Sequence, residues 1–469
     1  MSFSSVSFVV FMIAVFLIYW GIPYKFRYIL LICANLIFYG SFGAKCMPVL
    51  IGEAVLAYVF GLLLDNKPQK SLLITGIVLT ASQLLIFKYL NFSIYTVDKI
   101  LSIISAPVSD HTLKLLAPIG ISFYTFEAIS YIVDIYKGKI HSEKNFLRLF
   151  AYISFFPSIT SGPIERAGKF IPQLYEELHF DYDKSVYGLR LILLGMFKKI
   201  CGADVLKQYV DAVFGNIYAY KGPAFIVAII LYTYEIYLDF SGYTDMARGF
   251  AIMLGFDLSE NFKTPYLSNG IREFFSRWHI SLSLWLRDYI YIPLGGSRKG
   301  KFRKYINLMI TMLVSGLWHG ASFTFIVWGA LHGVYQCIAN MIPASKKNKV
   351  PRIINILITF GLVSFAWMFF RANSLSDAKY IVKNMIIGNN FYGQMLQMGF
   401  LTLSAYLGVA VILILTIAYD LYSENHDIVY SIGNIKPVFR WMIYIAAGVL
   451  IVVLRSHVGA GADFIYFRF

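Results

Sequence analysis

The chain has 469 residues, of which 58% are hydrophobic and only 14% are charged, and its mean hydropathy is +0.64. Soluble domains contain about 25% charged residues, so this composition excludes an ordinary soluble domain. The 41 Lys and Arg residues outnumber the 26 Asp and Glu residues and give a net charge of +15. This charge does not predict nucleic-acid binding, because the basic residues lie in short loops between apolar segments, where they orient membrane spans.

Apolar segments near the length of a membrane span recur along the whole chain. A span needs about 20 mostly apolar residues. Together with shorter segments near 115–133 and 147–163, they predict about eleven crossings or re-entrant pieces. We therefore predict an all-α, multi-pass membrane protein in which residues 1–469 form a single membrane-embedded domain, since no repeat or flexible linker divides the chain. The long apolar segments are approximately residues 2–24, 28–44, 46–64, 71–87, 223–238, 305–345, 353–370, 395–419 and 441–454.

The segment 155–170, FFPSITSGPIERAGKF, contains helix-breaking residues at Pro157 and at Gly162 and Pro163. It is predicted to form a turn at or within the membrane surface.

Residues 234–251 carry two carboxylates, Glu235 and Asp239, at positions i and i+4 that share one helix face. Such a pair of carboxylates can bind a cation or move protons. The pattern favours a simpler interpretation, in which the stretch is a helix terminus with a salt bridge between Asp245 and Arg248.

Residues 257–304 form the most polar long insertion between apolar segments, and residues 271–297 within it form a candidate site. Charged residues bracket the nine uncharged residues from Trp278 to Leu286, which argues against a full span and favours a partly buried helix lining an entrance. His279 lies in this stretch. Asp288, nine positions later, would lie about 180° around a helix from it and is not expected to orient it. An interfacial helix with an aromatic belt is the alternative, and for this stretch taken alone it is the better interpretation.

The stretch 305–345 contains no Asp, Glu, Lys or Arg over 41 residues, which is the length of two spans. Basic residues flank it on both sides, and positive residues favour the cytoplasmic side. The stretch is therefore predicted to be a helical hairpin that enters and leaves the membrane on the same face. Its flanks are Arg298, Lys299, Lys301, Arg303 and Lys304 before it and Lys346, Lys347, Lys349 and Arg352 after it.

Two histidines lie within this predicted hairpin. His319 follows Lys304 by 15 residues and His332 precedes the second basic flank by 14 residues, so both rings are predicted at similar depths, about 22 and 21 Å from the flanks. Ionisable groups at such depth generally face a cavity and mark functional sites. Gly316 and Gly320 suit a helix break beside His319. A histidine that only bonds a neighbouring helix is an equally good interpretation for His319 and the better one for His332.

The chain is similar to membrane-bound O-acyltransferases, and within them to the bacterial alginate O-acetylase membrane subunits and peptidoglycan O-acetyltransferases. The similarity covers essentially the whole chain, and the run from 261 to 333 is very specific because order and spacing match as well as residue type. The matching segments are SGPIERAGKF at 161–170, YLDFSGYTDMARG at 237–249, NFKTPYLSNGIREFFSRWHISLSLWLRDYIYIPLGGSRKG at 261–300, SGLWHGASFTFIVWGALHG at 315–333, FFRANSLSDA at 369–378 and DFIYFRF at 463–469.

This resemblance implies about eleven transmembrane helices, with re-entrant or interfacial helices, around a membrane-embedded tunnel, and a catalytic core at residues 261–345. His319 then matches the catalytic histidine of the family, and His279 matches a second histidine on the tunnel lining in the bacterial branch. The family moves an acyl group from a cytoplasmic thioester to an acceptor reached from the other side. Acetyl-coenzyme A is the expected donor substrate, the plasma membrane the expected location, and no bound cofactor or metal is expected.

In this branch the acetyl group usually passes to a separate extracytoplasmic partner of the SGNH-hydrolase type, which acetylates a cell-wall polymer or an exopolysaccharide such as alginate. For the chemistry, a buried and neutral His319 is expected to accept the proton of the acceptor hydroxyl, with His279 stabilising the oxyanion or orienting the acceptor. The basic segments 298–304 and 346–352 are expected to hold the phosphates of coenzyme A, although membrane orientation alone explains them equally well.

Two alternatives remain at this point. One is a teichoic-acid D-alanyl transfer protein, which has the same fold but takes its acyl group from a carrier-protein thioester. The other is a transporter or flippase without covalent chemistry, because a deep polar pair in a tunnel is compatible with it.

Overall fold

The computed structural model describes residues 1–103, 117–342, 350–388, 391–400, 402–458 and 464–465. Over these residues the backbone is helical and forms no strand, apart from one isolated bridge between Phe262 and Trp278. The predicted all-α class is thus confirmed. Lys346, Lys347 and Lys349 of the second basic flank lie outside the described residues, as does most of the closing segment 463–469.

The first of two compact units comprises Met1–Ser185 and Phe250–Ser259. A π-helical turn, Leu85–Tyr89, joins two of its helices, α4 and α5. Its helices are α1 (Val6–Gly21), α2 (Tyr24–Gly40), α3 (Met47–Asn66), α4 (Lys70–Leu84), α5 (Leu90–Ile103), α6 (Ile121–Tyr136), α7 (Phe146–Ile153) and α8 (Ala167–Phe170).

The predicted turn at 155–170 is present in this first unit, because α7 ends at Ile153. The segment 154–165 is fully buried, so the turn lies inside the unit. Buried backbone groups need hydrogen-bond partners, and polar side chains supply them here. The Asn35 side-chain oxygen accepts from the Phe156 N–H at 2.9 Å, and Glu127 Oε1 accepts from the Glu165 N–H at 3.1 Å.

The second compact unit comprises Val186–Gly249 and Glu260–Phe469, and it contains both predicted site histidines. Helix α9 (Tyr182–Met196) begins in the first unit, and α11 ends there. The remaining helices are α10 (Asp204–Gly215), α11 (Pro223–Met253), α12 (Ile271–Arg277), α13 (Ile280–Leu286), α14 (Gly300–His319), α15 (Phe323–Met341), α16 (Arg352–Arg371), α17 (Leu375–Asn384), α18 (Phe391–Gln397), α19 (Leu403–Ser423), α20 (Ile428–Gly433) and α21 (Pro437–Val458). The single domain predicted over 1–469 stays a prediction.

Six helical segments within the described ranges are long and apolar enough to cross a membrane, and α1 is a shorter apolar helix. They support a multi-pass membrane protein, whereas the figure of about eleven crossings stays a prediction. The arms of the predicted hairpin are not among the six, because they also carry polar residues that line a cavity described below. The six segments are Ala44–Asn66, Lys70–Ser102, Pro223–Met253, Arg352–Arg371, Leu403–Ser423 and Pro437–Ser456.

Helices α14 and α15 form the predicted hairpin. The start of α14 and the end of α15 lie together, since Lys304 Nζ donates a hydrogen bond to Asn340 Oδ1 at 2.9 Å. Two glycines allow the arms to approach closely. A Cβ atom on Gly316 would lie 2.2 Å from the Phe325 carbonyl oxygen, and one on Gly329 would lie 2.4 Å from that of Met312. Small residues at such contacts are typical of membrane helix pairs.

The hairpin turns at residues 320–322, and this position corrects the predicted depths of the two histidines. His319 is the last residue of α14, and the helix break follows at Gly320, with Gly316 still inside the helix. His332 lies nine residues into α15, about 14 Å from its start. The equal depths were wrong because the prediction counted the depth of His332 along a helix from Lys346, whereas α15 ends at Met341.

Helix α11 also differs from its prediction, because it continues through residues 234–251 without a terminus. Asp245 pairs with Lys198 at 2.7 Å, and Arg248 lies 3.7 Å from Glu260, so the predicted pair between Asp245 and Arg248 is not the one that forms. Lys198 is buried, and its ammonium group would be costly to leave without a counter-ion. Pairing Asp245 with Lys198 therefore stabilises the protein more than a local i, i+3 pair with Arg248 would.

Candidate active site

His279 stands at a sharp break between α12 and α13, where its backbone adopts a left-handed φ of 43°. Few residues other than glycine adopt this conformation. Asn261 holds the break from the side: its side-chain oxygen accepts a hydrogen bond from the Ser281 N–H at 3.1 Å, and its carbonyl accepts from the Ile280 N–H at 3.1 Å. Because Asn261 supplies these bonds, the His279 side chain does not cap α13 and is buried, with 1% exposed.

His319 ends α14 and is 3% exposed. Its ring lies in an aromatic enclosure, with ring centroids 5.1 Å from Trp328 on the opposite arm of the hairpin and 5.2 Å from Phe370 near the end of α16. Both contacts are edge-to-face, the arrangement that aromatic rings prefer. Helices α15 and α16 thus hold this imidazole from two sides.

The structure brings His279 and His319 together, with their ring centroids 6.5 Å apart. This separation is too long for a direct hydrogen bond between the rings, but a single substrate oxygen can contact a nitrogen of each. Both histidines line one cavity of about 400 Å³, here called the histidine cavity. Its size is that of a small-molecule binding site.

One face of α14 forms a wall of the histidine cavity. The lining residues of this helix recur every three or four positions, as expected for one helix face. These residues are Lys304, Leu308, Thr311, Met312, Ser315 and His319. The sequence contained this periodic signal, but our prediction used the depth of His319 alone and missed the residues below it.

Basic residues lie at the mouth of the histidine cavity, at the open end of the hairpin. Arg272, Arg287 and Lys304 line the cavity together with Asn340, whose side-chain oxygen accepts hydrogen bonds from Arg272 and Lys304. Of the five basic residues at 298–304, Lys304 lines the cavity, and the other four are exposed. The stretch 271–297, predicted as one partly buried helix, forms two short helices and a π-helical turn and contributes Arg272, His279 and Arg287 to the cavity lining, whereas its role as an entrance stays a prediction.

His332 does not line the histidine cavity. It is fully buried among aromatic rings, with centroids 4.6 Å from Trp328 and 5.1 Å from Phe275. Neither of its ring nitrogens has a hydrogen-bond partner within the described ranges. Trp328 therefore separates His332 from His319, which supports the interpretation of His332 as a packing residue.

Asp239, one of the two acidic residues noted on α11, lies in a buried ion pair. Lys199 Nζ lies 2.6 Å from Asp239 Oδ1 and 2.9 Å from Asp204 Oδ1. Asp239 is therefore not free to act with Glu235 as a carboxylate pair. Within the ranges that the structure describes, no cluster of three or more His, Cys, Asp or Glu side chains has the arrangement of a metal site.

The sequence profile of the MBOAT, membrane-bound O-acyltransferase, family matches residues 136–375, which include every residue lining the histidine cavity. The chain belongs to this acyltransferase family. Among its relatives is a probable alginate O-acetylase of Pseudomonas aeruginosa, 40% identical over 81% of this chain and 73% of the relative. A peptidoglycan O-acetyltransferase of Helicobacter pylori is 32% identical over 76% of this chain and 73% of the relative.

A more distant relative of this acyltransferase is the teichoic acid D-alanyltransferase of Bacillus subtilis, which is 29% identical over 58% of the chain and 73% of the relative. The family membership confirms the predicted resemblance and the prediction of an acyltransferase. It favours an acyltransferase over the alternative of a transporter without covalent chemistry. The catalytic roles predicted for His279 and His319 stay predictions.

The geometry of this membrane-bound O-acyltransferase suits a long thioester donor. Lys304 at the mouth and His319 at the inner end are 15 residues apart on one helix, a rise of about 22 Å. Anionic groups of a donor can stay at the basic mouth while its acyl group lies beside the histidines.

Proposed function

We propose that this acyltransferase transfers an acetyl group from cytoplasmic acetyl-coenzyme A to a hydroxyl acceptor on the other side of the cell membrane, for O-acetylation of an extracytoplasmic polysaccharide. The observation that carries the proposal is the histidine cavity, which has three basic residues at one end and two buried histidines at the other. The names of two relatives above 30% identity, an alginate O-acetylase and a peptidoglycan O-acetyltransferase, support acetyl as the group transferred.

Donor binding begins at the basic mouth. Arg272, Arg287 and Lys304 contact the phosphates of coenzyme A, because guanidinium and ammonium groups form charge-assisted hydrogen bonds with phosphate oxygens. The pantetheine arm lies along the cavity. The thioester carbonyl then lies between His279 and His319.

His319 acts as the general base in the transfer step. It takes the proton of the acceptor hydroxyl as the oxygen attacks the thioester carbonyl carbon, and a hydrogen bond from His279 stabilises the oxyanion. The new C–O bond forms, the C–S bond breaks, and the departing thiolate recovers the proton from His319. The products are an acetyl ester and free coenzyme A.

A partner protein completes the proposed pathway. The described residues form helices and connecting turns, so delivery of acetyl groups to a polymer beyond the membrane calls for a separate extracytoplasmic protein. We propose an acetyltransferase of the SGNH-hydrolase type for this role, as expected from the family resemblance.

The donor is tested with the purified protein in proteoliposomes that enclose unacetylated alginate together with a purified acetyltransferase of the SGNH-hydrolase type. Acetyl-coenzyme A carrying an isotope label in its acetyl group is added outside, and alkali-labile label on the trapped polymer and free coenzyme A are measured. We expect protein-dependent release of coenzyme A and labelling of the polymer. The same vesicles are given a D-alanyl-charged carrier protein. Consumption of that thioester in place of acetyl-coenzyme A would contradict acetyl transfer and favour the D-alanyl alternative.

A further inference from the structure

A second cavity of about 270 Å³ lies at the end of the hairpin opposite the basic mouth. We call it the Glu235 cavity. Its walls come from the hairpin turn, from the end of α16 and from α10 and α11. Its polar lining residues include Asp211, Tyr232, Glu235, Ser322, Thr324 and Arg371.

Aromatic rings separate the Glu235 cavity from His319. Phe370 lines this cavity, and its ring centroid lies 5.2 Å from that of His319. Phe325 also lines the cavity and packs edge-to-face on Phe370 at 4.8 Å. One side-chain layer thus divides the Glu235 cavity from the imidazole that lines the histidine cavity.

Glu235 differs from the other acidic groups around it. Asp211 pairs with Arg371 at 2.6 Å, and Asp239, one turn along α11 from Glu235, pairs with Lys199. Glu235 is only 2% exposed, yet its Oε2 atom has no hydrogen-bond partner in the described part of the chain. The hydroxyl of Tyr232, three residues earlier, also has none there. Buried polar atoms are normally satisfied, so this pair calls for a ligand.

We infer that Glu235 and Tyr232 hold the alcohol acceptor of the proposed transfer. The carboxylate of Glu235 accepts a hydrogen bond from one hydroxyl of the acceptor, and the Tyr232 hydroxyl bonds a second oxygen. A neighbouring hydroxyl of the same molecule is then held against Phe370, whose ring turns aside to admit it to His319. This inference rests on the proposed acetyl transfer and adds to it the residues that hold the acceptor.

An alcohol suits the mixed lining of the Glu235 cavity. The charges of Asp211 and Arg371 are already paired with each other, which leaves Glu235 and the hydroxyls of Tyr232, Ser322 and Thr324 for the ligand. Alcohols both donate and accept hydrogen bonds, as this mixture of carboxylate and hydroxyl groups requires. Sugars and polyols carry adjacent hydroxyls that can use both Glu235 and Tyr232.

The test measures acetyl transfer to glycerol, a small polyol probe, by the full-length protein in detergent with labelled acetyl-coenzyme A. We expect Glu235→Ala to raise the KM for glycerol about tenfold, because a hydrogen bond to a charged group is lost. The KM for acetyl-coenzyme A should stay within about twofold, which also shows that the donor site is folded. Glu235→Gln keeps an acceptor oxygen and should recover most of the glycerol affinity.

Tyr232→Phe provides a second variant that keeps the ring and its packing. It should also raise the KM for glycerol, by a smaller factor than Glu235→Ala. An unchanged KM for glycerol in both variants would overturn the inference, and so would a fall in kcat alone. Failure of glycerol to accelerate acetyl-coenzyme A consumption by the unmodified protein would exclude an alcohol site. If the unmodified protein consumes no acetyl-coenzyme A at all, the proposed function is wrong and this inference falls with it.

Discussion

The imidazoles of His279 and His319 lie 6.5 Å apart, although forty positions separate them in the chain. Two local features bring the rings together. One is the break between α12 and α13, which Asn261 stabilises, and the other is the end of α14 at the hairpin turn. The same pair of rings lines the inner end of a cavity whose mouth is basic. The pair is therefore the first target for mutation.

Replacement of His319 by alanine should abolish most acetyl transfer, because a positioned general base contributes about 10²- to 10⁴-fold to the rate. Replacement of His279 by alanine should cause a smaller loss of about tenfold or more, as expected for a group that stabilises the oxyanion. The measurement is release of coenzyme A and ester formation in proteoliposomes at equal amounts of inserted protein.

His179→Ala is the matched control for these two variants, because His179 is exposed and lies far along the chain from the cavity. It should retain full activity. Near-normal transfer by His319→Ala would remove His319 from the catalytic role, and full activity of His279→Ala would leave His279 a structural residue at the helix break.

His332→Phe should retain acetyl transfer within about tenfold, in contrast to the same change at His319. The ring of His332 packs against the rings of Trp328 and Phe275, and its nitrogens make no hydrogen bond within the described residues. Replacing a buried polar group that has no partner by an apolar one of similar shape is close to neutral for stability. Transfer and thermal unfolding in detergent are measured together, and loss of transfer without loss of stability would show that His332 takes part in the reaction.

Lys304→Gln should raise the KM for acetyl-coenzyme A several-fold, because Lys304 lines the mouth of the histidine cavity. Lys301→Gln removes the same charge from the same segment, but Lys301 is exposed and lies outside the cavity lining, so its effect should be small. Both variants are compared at low and moderate ionic strength, since screening weakens phosphate contacts. Equal effects of the two variants would mean that the basic segment acts only through its total charge or through membrane orientation.

The sequence was sufficient to predict the class of fold, the hairpin and the two histidines, for physical reasons. The period and length of apolar segments predict membrane helices, and two basic flanks around 41 uncharged residues predict a hairpin with both feet on one face. The bond between Lys304 and Asn340 confirms that the two ends of the hairpin lie together, and their side of the membrane stays a prediction. The meeting of His279 with His319 came from the family resemblance, because no local pattern relates residues forty positions apart.

Other features could not be predicted from the chain alone. The turn position at 320–322 depends on the close contact of Gly316 with Gly329, which only the folded hairpin contains. The partners of Asp245 and Arg248 depend on Lys198 and Glu260, which come from other parts of the chain. Local spacing predicts the pair of Asp245 with Arg248. The free-energy cost of burying Lys198 without a counter-ion favours the pair of Asp245 with Lys198 instead.

Gly316→Ala should lower both stability and activity. The added methyl group would lie 2.2 Å from the Phe325 carbonyl oxygen, so the backbones of α14 and α15 must separate, and His319 lies three residues beyond the contact. Overpacking of this kind costs about 1–3 kcal/mol.

Gly361→Ala is the control. Gly361 lies within α16, is exposed, and has open space around the position of a Cβ. Alanine should therefore be neutral or slightly stabilising at this position. Thermal unfolding and transfer rate are compared for both, and equal behaviour of the two variants would contradict the close-packed hairpin.

Lys199→Met should destabilise the second compact unit strongly. Lys199 is 1% exposed, and its ammonium group lies within 2.9 Å of carboxylate oxygens of both Asp239 and Asp204. Removing the cation leaves two buried carboxylates close to each other, a change that typically costs about 3–5 kcal/mol.

Lys139→Met breaks a pair with Asp134 whose lysine side chain is 52% exposed, and such surface pairs contribute about 0–1 kcal/mol. The midpoint of thermal unfolding in detergent should therefore fall clearly for Lys199→Met and hardly at all for Lys139→Met. Adding Asp239→Asn to Lys199→Met removes one of the two stranded charges and should recover part of the lost stability. If Lys199→Met alone unfolds at the temperature of the unmodified protein, the buried charge network does not stabilise α11.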